Sequence, residues 1–157
     1  MTINSDLVRR IPPPGWFAAA ACAQVLLTRG ARPTGRSLLA TALLITGGGI
    51  TAIAAVAALR RHGTTVTPEH PEQATVLVTD GPFAFTRNPI YLGFAAALVA
   101  HAVLRRSPIA LLPAAAFVAV IDRAQIPAEE RALRERFGQR YEQYSQAVPR
   151  WIGLPRR

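Results

Sequence analysis

The 157-residue chain has no lysine and only one cysteine. A lone Cys22 excludes an internal disulfide and a cysteine metal cluster; within its apolar run it reads as a small packing residue. Acidic residues are also scarce, nine against 18 arginines, for a formal net charge of +9. In a soluble protein such a surplus points to an anionic partner such as nucleic acid. Here the arginines sit beside apolar segments, with no basic stripe interleaved with aromatics, so nucleic-acid binding is not expected. Charge is missing altogether from Ser37 to Leu59.

That uncharged run is long enough to cross a bilayer. As a helix it measures about 34 Å at ~1.5 Å per residue, against a hydrocarbon core of ~30 Å. Arg36 precedes it and Arg60-Arg61 closes it, as cationic ends that reach toward headgroups. A buried helix in a soluble bundle is the competing reading, and the length of the run weighs against it. Three shorter apolar segments join it: 16–27, with Trp16 placed as an interfacial anchor, 89–104 and 107–121. Only Arg105-Arg106 lies between the last two, which predicts a tight helical hairpin. Gly47-Gly48-Gly49 costs helix propensity but lets a neighbouring helix come close. Arg9-Arg10 ahead of an apolar run suggests a leader, but Pro12-Pro13-Pro14 intervenes and no cleavage is expected.

The expected fold is therefore an all-α integral membrane protein of about four transmembrane helices, a single domain ending in a C-terminal amphipathic cytoplasmic helix. Four spans put both termini on one face. Thirteen arginines fall on that face and five on the other (29, 32, 36, 105 and 106). The imbalance predicts cytoplasmic termini in a bacterial-type inner membrane. Beyond Pro127, Leu133, Phe137, Tyr141 and Tyr144 recur at helical spacing and give one apolar face. Glu130 and Arg134 are placed for an i,i+4 pair. Val76-Leu77-Val78 reads as a brief extended stretch.

Two short blocks carry chemistry. The first is Gly81-Pro82-Phe83-Ala84-Phe85-Thr86-Arg87-Asn88-Pro89-Ile90-Tyr91-Leu92-Gly93. Asp80-Gly81-Pro82 is a turn signal, and Asn88-Pro89 is a helix start with asparagine before proline. The positive end of that helix sits beside Arg87 and suits a carboxylate. The second block is Glu129-Glu130, just past the fourth apolar segment and hence at the same membrane face. An interfacial helix cap and an acidic first turn explain each block without any chemistry. Together they supply a cation, two carboxylates and an aromatic at one depth.

These blocks, with Leu133, Phe137-Gly138, Tyr141, Tyr144 and Val148-Pro149, resemble the isoprenylcysteine carboxyl methyltransferase and phospholipid methyltransferase superfamily over roughly residues 76–152. The resemblance implies an integral-membrane enzyme that uses S-adenosylmethionine. It implies a cofactor site in which Arg87, Asn88, Tyr91, Gly93, Glu129 and Glu130 take part. Asn88 stands where the family motif has histidine. It hydrogen-bonds but does not titrate near neutral pH, so a proton-carrying role there is in doubt and cofactor binding is not.

The function implied is methyl transfer to a lipophilic or lipid-linked acceptor at the membrane surface, with carboxylate O-methylation favoured because no dedicated base stands out. Glu130 is the candidate proton acceptor for an amine, and Arg150 the candidate to orient a carboxylate. Three alternatives stay open: a phospholipid amine N-methyltransferase, a nicotinamide-dependent membrane reductase and a non-catalytic membrane scaffold. No metal is expected, since His62 and His70 with Glu69 and Glu72 match no zinc spacing. His101 lies about 15 Å along the helix from Tyr91 at ~1.5 Å per residue and reads as structural.

Overall fold

A computed structural model describes residues 11–28, 32–64 and 74–153. Arg9, Arg10, Arg29, Glu69, His70 and Glu72 lie outside these residues. Among the described residues there are helices and turns and no strand; Val76-Leu77-Val78 is irregular. The helices are α1 (Pro13–Leu27), α2 (Gly35–Arg61), α3 (Pro89–Leu104), α4 (Leu111–Val120), α5 (Ile126–Phe137) and α6 (Gln139–Ala147). Contacts divide the chain into two compact units.

The first unit takes residues up to Gly49 and Gly93–Gln125. α2 begins at a reciprocal cap: Ser37 N donates to Thr34 Oγ1 at 3.3 Å and Thr34 N to Ser37 Oγ at 2.9 Å. Such a cap satisfies amides that the first turn leaves open. α2 then packs on α3 through one glycine. A Cβ added to Gly48 would lie 2.7 Å from Ala96 Cβ and 3.5 Å from Gly93 Cα, while Gly47 and Gly49 face open space. The glycine run thus permits close approach at its middle residue alone. Phe17, Phe94 and Phe117, from α1, α3 and α4, form a ring cluster with centroids 5.0–6.4 Å apart. Gln24 is fully buried, and its Nε2 donates to the carbonyls of Leu98 and Ala110. A buried amide requires such partners. Its Oε1 lies 2.9 Å from His101 Nδ1, so His101 has a structural partner. Cys22 is exposed rather than packed.

The predicted hairpin turns at Arg105-Arg106, where Arg106 takes φ +50° and Ser107 N donates to Ala102 O at 3.2 Å. The fourth apolar segment does not stop at 121. Helix continues from Pro108 to Phe137, 30 residues, through a π turn at Ile121–Gln125. Pro127 has no N–H for the carbonyl four residues back and its ring crowds that carbonyl. A π turn just upstream is the local adjustment that keeps the helix running.

The second unit takes Ile50–Leu92 and Ile126 onward. α2 ends in a Schellman arrangement, with Gly63 at φ +62° and Thr64 N donating to Leu59 O at 3.1 Å; Arg60 and Arg61 complement the helix dipole there. The single C-terminal helix expected from sequence is two helices. Gly138 breaks it at φ 52° and ψ −127°, a conformation side chains avoid. Arg134 pairs across this break with Glu142, while Glu130 is a weaker electrostatic neighbour of Arg134. Glu130 faces inward instead, with its side chain only 12% exposed.

Gly35–Arg61 and Pro108–Phe137 are long and apolar enough to cross a membrane. Only 11% of the apolar stretch of α2 is buried within the molecule; Leu39 and Ile53 are 63% and 72% exposed. An apolar surface of that extent is matched by lipid rather than water. The protein is a membrane protein. α1 and α3 are shorter apolar helices.

Candidate functional site

The turn that opens α3 builds the site, all of it within the second unit. Gly81–Ala84 is a 3-10 turn with Gly81 at φ +58°. The chain then reaches Thr86, whose Oγ1 accepts from Asn88 N at 3.2 Å, a local side-chain bond that holds the turn open for the helix. Pro89 is the first helical residue, and Leu92 N donates to Asn88 O at 3.0 Å. This helix start matches the sequence expectation.

Arg87 leaves the turn inward, its side chain 14% exposed. Its Nη1 lies 2.8 Å from Glu130 Oε1 and donates to Tyr141 Oη at 3.1 Å. Glu130 is also gripped by Arg150, whose Nε and Nη2 donate to its two oxygens at 3.0 and 2.7 Å. One carboxylate thus lies between two guanidinium groups, a charge-assisted arrangement with fixed geometry. The Tyr91 hydroxyl donates to Glu129, and Tyr91 is buried. Arg87 Nε is buried and finds no acceptor among the described residues. A buried donor without a partner costs about 1–3 kcal/mol, and it leaves Arg87 one hydrogen bond to give.

The structure therefore gathers Arg87, Glu130 and Arg150 in one cluster and pairs Tyr91 with Glu129. Asn88 is buried and turned to a different task, its Nδ2 donating to Arg150 O at 2.8 Å. Gly93 belongs to the first unit, where it packs on Gly48. Arg150 binds a carboxylate of the chain itself. Glu130, placed in the sequence as a proton acceptor, has both oxygens engaged by arginine donors.

Sequence reasoning missed three polar contributors. Tyr141 and Tyr144 were visible as an apolar face, but their hydroxyls reach Arg87 and Phe83 O, the latter at 2.8 Å. Burial pushes the Tyr141 hydroxyl pKa up, with the nearby Glu130 charge adding to it. Burial raises that of Tyr144 strongly. Both phenols stay neutral at physiological pH. Thr86, quoted in the first block without a role, donates to Arg150 O at 3.2 Å; its only signal was a threonine three residues before the first helical residue.

Among the described residues no three His, Cys, Asp or Glu side chains group as metal ligands. His62 pairs with Asp80 at 3.1 Å on the surface.

Comparison with known proteins gives this geometry a family. Residues 36–140 match the phospholipid methyltransferase family, a span that begins at the start of α2 and takes in both blocks. Protein-S-isoprenylcysteine O-methyltransferase B of Arabidopsis thaliana is 36% identical over 84 residues, 54% of this chain and 42% of that protein. A probable protein-S-isoprenylcysteine O-methyltransferase of Oryza sativa subsp. indica is 36% identical over 104 residues, 64% of this chain and 52% of that protein. The chain spans about half the length of the curated relatives it matches. No solved structure matches. Family membership implies a methyl donor of the S-adenosylmethionine type. With two thirds of its length inside the family match, the chain belongs to the phospholipid methyltransferase family.

Proposed function

We propose that this protein is a membrane methyltransferase that transfers a methyl group from S-adenosylmethionine to a carboxylate on a lipophilic acceptor at the membrane surface. The observation that carries the reading is the buried Arg87–Glu130 pair, with an unpartnered Arg87 Nε beside it, inside the family-matched span.

The residues present fit such a donor. Glu129 and Glu130 suit its cationic and hydroxyl groups, Arg87 suits a carboxylate, and the buried Tyr91 ring gives an apolar wall. When bound, S-adenosylmethionine supplies an electrophilic methyl group on a sulfonium. The chain contributes orientation and exclusion of water: Arg87 is fixed by Glu130 and Tyr141, so an anion it binds has little freedom left. Exclusion of water strengthens that electrostatic grip.

Two features favour a carboxylate over an amine. An amine must lose a proton, yet Glu130 accepts from arginines and Glu129 from Tyr91. A carboxylate arrives ionised and needs no proton acceptor. Formal charge agrees: Arg87 and Arg150 balance Glu129 and Glu130, and a donor of net charge +1 balances an acceptor of −1. The names of the plant relatives point to the same acceptor class. Amine methylation remains the alternative that the family name itself suggests. The four apolar segments are proposed as four spans with both termini in the cytoplasm, on the arginine imbalance.

The test is methyl transfer by the purified chain in liposomes from isotopically labelled S-adenosylmethionine. A prenylated cysteine with a free carboxylate should be labelled, and its methyl-blocked ester should not. Label in phosphatidylethanolamine instead would reassign the acceptor.

A further inference from the structure

The segment 148–151 lies beyond the family-matched residues, yet it is tied to the site at several points. Arg87 N donates to Pro149 O at 3.0 Å. Thr86 Oγ1 and Asn88 Nδ2 donate to Arg150 O at 3.2 and 2.8 Å. The Arg150 guanidinium closes the loop by its two-point grip on Glu130. The residues flanking Arg87 thus hold the backbone of this segment, while the carboxylate that Arg87 binds holds its side chain.

Exposure sets the order of these layers. Arg87 and Glu130 are 14% and 12% exposed, and Arg150 is 32% exposed. Arg150 is the outer member and covers Glu130. A cationic ligand that uses Glu130 must compete with a guanidinium already seated there. Arg150 takes both Glu130 oxygens and Arg87 shares one of them, so a third cation gains full contact only as Arg150 yields.

From this we propose that residues 148–151 form a strap, with Arg150 as a positioning residue that occupies the Glu130 carboxylate until a cationic ligand takes it over. The inference rests on the function proposed above, which supplies the ligand class: a molecule carrying an ammonium or sulfonium. Release of Arg150 then frees a second guanidinium beside Arg87, so the cationic ligand binds first and an anionic acceptor second. A ligand whose binding state is only part-populated binds more weakly by that fraction, and the closed strap exacts this cost. Asn88 belongs to the same device. Where the family motif has histidine, this chain has an amide that tethers the strap.

Trp151 reports the state of the strap, since it adjoins Arg150. In the 157-residue chain carrying Trp16→Phe it is the remaining tryptophan, and its quenching by acrylamide measures exposure. Hydrogen exchange over 148–153 gives a second readout without a fluorophore. S-adenosylhomocysteine, which keeps the ammonium, should increase both signals, and adenosine, which lacks it, should not. Arg150→Gln should raise both signals with no ligand present and speed association of S-adenosylhomocysteine about tenfold; Arg150→Lys should restore most of the wild-type behaviour. Thermal melting checks that each variant is folded, and Asn88→Ala offers a second route to an open strap if Arg150→Gln is not. Binding with an unchanged Trp151 signal and an unchanged association rate in both open-strap variants overturns the strap and leaves the function standing. Absence of binding in every folded variant overturns both.

Discussion

At position 88 a buried asparagine donates to the carbonyl of Arg150, so its amide has a structural partner. Arg87 has the opposite situation: two partners for Nη1 and, among the described residues, none for Nε. Removing the Tyr141 hydroxyl deprives Arg87 of one more. Tyr141→Phe should lower stability by about 1 kcal/mol, read as a lower melting temperature, and weaken S-adenosylhomocysteine binding several-fold by calorimetry. The two phenols also set a pH limit. Burial raises the Tyr141 and Tyr144 pKa values above the ordinary 10.0. A raised folded-state value stabilises the neutral form, so the contribution is complete below pH 10 and is lost as pH climbs through the folded-state values. The melting temperature should hold level from pH 7 to 9 as far as these groups are concerned. It should fall above 10, and less so in Tyr144→Phe. Residue identities marked Arg87, Tyr91, Glu129 and Glu130 as candidates from chemistry and motif together. They could not show that Glu130 meets Arg150, because partners so distant in sequence are set by the fold.

Glycines decide the elements. Gly48 lies against Ala96 and Gly93, while Gly47 and Gly49 have open space. Gly48→Ala should therefore cost about 1–3 kcal/mol by overpacking. Gly47→Ala and Gly49→Ala should be neutral or stabilise by up to ~1 kcal/mol from helix propensity. Thermal melts in one detergent compare all three, and equal costs would remove the close contact between α2 and α3. Gly138 is a backbone case, since a Cβ there meets nothing and φ is +52°. Gly138→Ala should cost about 1–3 kcal/mol of strain, seen as a lower melting temperature. Helix starts at Asn88-Pro89 and the hairpin at Arg105-Arg106 were legible because local signals govern them. The break at Gly138 was not: the tyrosine spacing reads as one helix, and a positive φ leaves no trace in apolar periodicity. Nor was the π turn, since Pro127 signals a helix boundary as readily as an adjustment within a helix.

For the whole molecule, the length of α2 and the low burial of its apolar stretch mark a membrane protein. Sequence gave this directly, since 23 uncharged residues need no tertiary information. The number of spans and their direction rest on the arginine distribution. In a Cys22→Ser background, Arg106→Cys and Gln139→Cys should react with an impermeant thiol reagent from opposite faces of sealed membrane vesicles, with 139 cytoplasmic. Reaction from one face would overturn the four-span topology while leaving the site within the second unit as described.

Arg87 and Glu130 are proposed to belong to a binding site for a sulfonium methyl donor. Calorimetric titration of S-adenosylhomocysteine into the 157-residue chain in lipid-supplemented detergent reads that site without an acceptor, with Arg87→Ala and Glu130→Ala alongside. Micromolar binding that both substitutions weaken at least tenfold, about 1.4 kcal/mol, is the predicted result. No binding by folded wild-type protein, or equal binding by wild type and both variants, would contradict the claim.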